Sequence, residues 1–152
     1  MRDEFERQLA LLNEELTTMG GLIESAIANA VKALDGDEHS INKAYDYEKS
    51  IDNKEREIES LCLKLLLTQQ PVASDLRLIS AALKMITDME RIGDQAEDIA
   101  EIITYMDCEC ANSTLLREMA KDTIKMVTES VDAYVRRDTE LAKLVIAEDD
   151  IV

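Results

Sequence analysis

Apolar residues recur along this chain with the period of an α-helix, over long uninterrupted stretches. Phe5, Leu9, Leu12, Leu16, Met19, Ile23, Ala26, Ala30 and Ala33 alternate steps of four and three without a miss. That is a heptad seam, and it predicts one long first helix. "DGDEHS" ends it, with Gly36 as the C-terminal signal. A second helix is expected from about Ile41 to Thr68, carrying Ile51, Ile58, Leu61 and Leu65. "TQQP" then turns the chain, because proline is accepted at a helix start but not inside one. In the third helix the expected seam is Met85, Met89, Ile92, Ala96, Ile99, Ile103 and Met106. "DCECANS" is the next break; a fourth helix runs from near Thr114 to Arg136, and a fifth element opens at Asp138.

Short connections between long helices make antiparallel neighbours. The fold class is therefore all-α: residues 1–108 form an up-down-up three-helix bundle, and residues 109–152 begin a second, incomplete one. Met19/Met119, Val31/Val131, Lys43/Lys143, Glu48/Glu148 and Ile51/Ile151 match at a constant offset of 100, a weak repeat signal in common residues. The last two elements carry an apolar stripe of Ile124, Val127, Val131, Tyr134, Leu141 and Val145 with only a hairpin to cover it. Exposed apolar area of that kind marks an interface, so a homodimer or higher oligomer is expected, with the hairpin swapped or completed by another chain.

Composition narrows the function. Hydrophobic residues make up 46% of the 152, yet aromatics only 3%, so the core is aliphatic, and one proline and four glycines leave the helices few breaks. Thirty-three acids against 17 bases give a net charge of −16. Such a body is repelled by nucleic acid and by anionic lipid, and favours cations or basic protein surfaces. No apolar run approaches the ~20 residues of a membrane span, and "MRDEFERQL" has no signal-peptide pattern. Cys62 falls in an apolar stripe as a buried thiol. Cys108 and Cys110 are too close and too isolated for zinc, and read as loop residues of a reduced, cytoplasmic protein. The lone histidine, His39, reads as a solvated loop residue.

The acids are not scattered. Glu90, Asp94, Glu97 and Glu101 fall at i, i+4, i+7 and i+11, and Glu48, Asp52, Glu55 and Glu59 repeat the same types in the same order. Each set makes one stripe, expected beside the seam on the second helix and opposite it on the third. Like charges at i,i+4 cost a few tenths of a kcal/mol per pair, so the pattern needs a reason. If the second and third helices fold about Pro71, Glu48 stands beside Asp94 and Asp52 beside Glu90. Four carboxylates at one level invite a cation, while Glu55, Glu59, Glu97 and Glu101 face no acids in this register. All-oxygen ligation suits Mg²⁺, Ca²⁺, Mn²⁺ or iron rather than structural zinc. A solvated charged face is the bland alternative, which makes the protein a structural scaffold. A di-iron enzyme would need Glu-x-x-His; Ile51 and Gly93 stand where those histidines would be. No catalytic residue is assigned.

"YEKSIDNKEREIESLCLKLLLTQQPVASDLRLISAALKMITDMERIGDQAEDIAE" closely resembles the PhoU family of phosphate-signalling regulators. E-x-x-x-D, then QQPVASDLR, then DMERIGD at these separations is a specific combination. The resemblance implies tandem three-helix bundles whose paired acid motifs bind multinuclear metal clusters, often iron. It implies a non-enzymatic cytoplasmic adaptor that restrains phosphate uptake and the starvation response. Its implied partners are the phosphate ABC transporter, through its ATPase, and a phosphate-sensing histidine kinase, which would hold it peripherally at the inner membrane. Carried over, the metal ligands are Glu48, Asp52, Glu90 and Asp94, and Asp149 in "AEDDIV" opens a second acid motif whose closing Asp is absent. Within "QQPVASDLR", Gln70 and Pro71 are expected to start a helix, Asp75 to favour its first turn, and Leu76 to pack. Gly93 is expected to let a helix or a ligand close to the backbone.

Overall fold

A computed structural model of the chain describes residues 2–68, 70–106 and 113–152. Five helices follow one another: α1 (Arg2–Ala33), α2 (Glu38–Thr68), α3 (Ala73–Thr104), α4 (Ser113–Arg136) and α5 (Thr139–Glu148). The first seam is realised almost in full: Leu9, Leu12, Leu16, Met19, Ile23, Ala26, Ala30 and Ala33 are buried, with Phe5 packed against them. Gly36 takes a left-handed φ of 79° and its N–H donates to the Ala33 carbonyl, closing α1. That conformation is what recommends glycine there. Helix α2 begins three residues before the expected Ile41, because the Asp37 carboxylate caps it. It accepts from the His39 N–H at 3.1 Å and the Ser40 hydroxyl at 2.7 Å. His39 is accordingly helical, and exposed.

Helices α1, α2 and α3 pack mutually, α4 lies on α1, and α5 touches only α4. Helix α1 is thus the one element shared by both parts of the chain. Gly20 makes the α1–α4 approach possible: a Cβ there would come within 3.3 Å of Val131 Cγ2. This packing alters the expectation for the apolar stripe on α4 and α5. Val127, Val131 and Val145 are buried, and Ile124, Tyr134 and Leu141 half-buried. A second face on α1 shelters the α4 part of the stripe, while Leu144 and Ile146 on α5 stay exposed.

The seam of α3 is also displaced. Its buried residues are Ile79, Ala82, Ile86, Met89, Gly93, Ala96 and Ala100. Of the expected seam, Met89 and Ala96 are in the core, Met85, Ile92 and Ile103 are half-buried, and Ile99 and Met106 are exposed. The reason is size. Close helix approach selects the small residues Ala82, Gly93, Ala96 and Ala100, which score low as hydrophobes. The larger ones flank the contact. At the start of α3, Val72 is the N-cap and Asp75 sits in the first turn. Leu76 is exposed rather than packed, and core contact begins at Leu78 and Ile79. Cys108 and Cys110 lie outside the described residues.

Candidate metal centre

The α2–α3 hairpin sets the acids by one contact. A Cβ on Gly93 would lie 2.9 Å from Ile51 Cδ1 and 3.1 Å from its Cγ2. Only glycine lets Ile51 settle onto the α3 backbone at this distance. The residues that follow in sequence, Asp52 and Asp94, are carried to the same seam, as is Glu90 one turn before. The Ile51–Gly93 contact centres the hairpin within one residue of Pro71, as the register predicts. The acid stripe of α3 lies beside the buried face, one residue on from Met89, Gly93, Ala96 and Ala100, and not opposite it. Glu48, Asp52, Glu55, Glu90, Asp94 and Glu97 are therefore half-buried, whereas Glu59 and Glu101 are exposed.

The tightest group is Asp52, Glu55 and Glu90, each offering an oxygen within 4.8 Å of the others. Two of these belong to the predicted four. Glu55 was expected to face no acid, and helix geometry explains why it does. Side chains lean toward the N-terminus of their own helix. In an antiparallel pair, Glu55 leans away from the turn and Glu90 toward it, which closes an axial offset of about 4.5 Å, three residues of rise. Glu48 and Asp94, at the next level, lean apart by the same rule. Their charges still count: burial first and then Asp94 raise the Glu48 pKa, and burial, then Glu48 and Asp94, raise that of Glu97.

The carboxyls of Glu90, Glu55 and Glu48 all titrate above their ordinary range. Burial is the largest cause for each. Next comes the negative charge of Asp94 for Glu90 and Glu48, and of Asp52 for Glu55. A carboxyl–carboxylate hydrogen bond between Glu90 and Asp94 adds to this by favouring a retained proton. Compensation is thin. Arg56, one helical turn on from Asp52, donates to it at 2.8 Å. Arg91 lies 3.9 Å from Asp88. Oxygens up to 4.8 Å apart can converge on one ion with bonds of about 2.0–2.6 Å, the range of Mg²⁺ and Ca²⁺. The donor set thus fits a hard cation. Asp149 stands at the end of α5, in a cavity wall with Asp88 and Met89, and belongs to no such group among the described residues.

A bundle of long antiparallel helices with an acidic seam on one hairpin is the class of protein this geometry defines. The PhoU domain family model matches residues 16–103 and 116–152. The crystal structure of PhoU from Pseudomonas aeruginosa superposes with a TM-score of 0.90 at 33% identity, over 97% of this chain and 72% of that one. Among curated proteins, the phosphate-specific transport system accessory protein PhoU homolog of P. aeruginosa is 36% identical over 98% of this chain. The homolog of Clostridium acetobutylicum is 36% identical over 99%, and PhoU of Escherichia coli K12 is 29% identical over 96%. The chain belongs to the PhoU family. It spans 63% of the P. aeruginosa relative's length, 71% of the clostridial one and 62% of the E. coli protein.

Proposed function

We propose that the protein is a cytoplasmic regulator of phosphate uptake and of the phosphate-starvation response, acting as a metal-binding adaptor and not as an enzyme. The observation that carries the metal reading is the Asp52–Glu55–Glu90 group, half-buried and within 4.8 Å, with one arginine against it. Glu48 and Asp94 complete the site as ligands to a further ion or as bridges in a multinuclear cluster. The donor chemistry favours iron, manganese or magnesium. Residues 1–108 form the first repeat and 109–152 the start of a second, whose acid motif opens at Asp149. The relatives are named as accessory proteins of a phosphate-specific transport system, which supports a phosphate transporter as partner; contact through its ATPase and with a phosphate-sensing histidine kinase is what the family resemblance implies. No helix among the described residues is long and apolar enough to cross a membrane, so membrane association would come through those partners. Self-association as a dimer or larger assembly is part of the same proposal.

The test is elemental analysis of protein purified without chelators, followed by melting with and without EDTA. A metal that binds only the folded state stabilises by about 2.7 kcal/mol at a hundredfold excess over Kd. Bound iron or manganese, a lower Tm after chelation and recovery on re-addition are expected. Metal-free protein whose Tm ignores both treatments would leave the scaffold reading in its place.

A further inference from the structure

Two cations stand two residues apart on α2, and they are held in different ways. Lys54 reaches Glu15 on α1 at 2.6 Å and Glu57 at 2.7 Å, and its side chain is only 19% exposed. Its bond to Glu15 ties two core helices together, which is a structural task. Arg56 donates one Nη–H to Asp52 at 2.8 Å, within the same helix. Its side chain is 70% exposed. Ion pairs at i,i+4 with that exposure are weak and readily exchanged.

What singles Arg56 out is the carboxylate it holds. Asp52 belongs to the Asp52–Glu55–Glu90 group, and its bond to Arg56 is the group's one ion pair among the described residues. The same guanidinium acts on Glu55. Burial, then the charges of Asp52 and Glu59, raise that carboxyl, and Arg56 pulls against the rise. One cation, on the solvent side, is thus shared by two of the three acids. Arg91, on the facing helix, pairs with Asp88 outside the group. A metal ion and a guanidinium on one carboxylate repel each other, and Asp52 cannot give its full charge to both. Three carboxylates offered together outweigh one exposed hydrogen bond, so Arg56 yields once the ion is abundant enough.

We propose that Arg56 is a built-in competitor of the metal: it holds Asp52 in the metal-free protein, gives it up on loading, and so sets the ion concentration at which the site fills. This rests on the reading of the α2–α3 seam as a metal centre. Arginine suits the role because it stays charged at every physiological pH, so its competition does not lapse as the surrounding acids titrate. Loading also acquires an outward sign. A guanidinium that was paired becomes free on the outer surface of α2.

The experiment titrates the full chain, stripped with EDTA, with Mn²⁺ by isothermal titration calorimetry. Arg56→Gln should tighten binding about five- to tenfold, the order expected when one unit charge is removed beside a divalent ion in half-exposed surroundings. Arg56→Lys keeps a cation four residues on from Asp52 and should stay within about twofold of the unaltered chain. Arg91→Gln removes the same charge from the same hairpin but outside the group, and should leave the affinity unchanged. Both arginines are exposed, so the variants should keep their circular dichroism. Phenylglyoxal labelling, read by mass spectrometry, should modify Arg56 several-fold faster with saturating Mn²⁺ than without, and Arg91 at one rate in both. Equal Mn²⁺ affinity in the unaltered chain and Arg56→Gln, or Arg56 labelling indifferent to Mn²⁺, would overturn the proposal and leave the metal centre standing. Absence of Mn²⁺ binding by both proteins would overturn the metal reading itself, and this proposal with it.

Discussion

Helix α3 has two flanks that meet the rest of the molecule in opposite ways. Toward α2 it presents Gly93, and the backbones close until Ile51 rests on bare Cα. Toward α4 it presents Met85, Ile92 and Ile99, and no close backbone contact forms between described residues of the two helices. Cavities of about 380 and 220 Å³ lie between them instead. The closed flank is rimmed by carboxylates and the open one by hydrophobes and, at its end, arginines. Small residues bring helices together and so force charges into proximity; large residues hold helices apart and leave room. Repulsion among the acids is therefore a consequence of tight apolar packing next door, which is what makes a cation useful there.

The strongest way to break this contrast is to give the closed flank a large residue. Gly93→Leu should destabilise the fold by about 3 kcal/mol, the upper part of the overpacking range, and should abolish the metal response, both read from melting with and without Mn²⁺. Gly93→Ala should cost less, because the nearest atom is the movable end of Ile51 and alanine regains roughly 1 kcal/mol of helix propensity. Equal losses from the two changes would mean that spacing is not what matters.

Next in size is the loss of metal stabilisation. Glu55→Gln and Glu90→Gln should each remove most of the about 2.7 kcal/mol expected at a hundredfold excess of ion. Glu101→Gln, exposed and outside the group, should keep it. A response that survives Glu55→Gln but not Glu48→Gln would relocate the centre to the level of Glu48 and Asp94. On the open flank, Tyr134→Phe should cost about 1 kcal/mol, the net worth of one hydrogen bond, with no effect on metal. Burial holds that phenol up to about 12, so its titration stays out of the physiological range.

The smallest effect is a drift with pH. In the metal-free protein Glu48, Glu55, Glu90 and Glu97 have folded pKa values above the ordinary 4.5. The native state then binds more protons than the unfolded one between the two values, so stability falls as pH rises through that window. Urea midpoints should decline from about pH 4.5 into the weakly acidic range. Glu90→Gln should flatten the slope, and saturating metal should reverse it; an unchanged slope in the variant would place its origin elsewhere among the acids.

How far the sequence could be read differs between these flanks for a physical reason. The α1 seam was legible because its large and small apolar residues all lie on one face. The α3 seam was not, since glycine and alanine mark contact while Ile92 and Ile99 advertise burial they do not have. Pairing about Pro71 brought Asp52 and Glu90 together correctly, because register in a hairpin is a property of the backbone. It missed Glu55, whose inclusion depends on the opposed lean of side chains on antiparallel helices. The signal was present, as Glu55 follows Asp52 by three. The cavity between α3, α4 and α5 was not legible as a cavity, for its walls join Arg77 and Arg137 across helices whose packing no periodicity specifies. Arg56, four after Asp52, was open to the i,i+4 rule.

The position of α1 has a kinetic consequence. Because it alone packs closely on α2, α3 and α4, none of those helices can detach without exposing part of its seam, while α5 has close backbone contact with α4 alone among the described residues. Native-state hydrogen exchange should therefore divide the amides into two populations. Those of α5 should exchange through a shallow opening that is nearly insensitive to denaturant. Those around Leu12, Leu16 and Ile23, where burial is complete, should exchange only when the whole molecule opens.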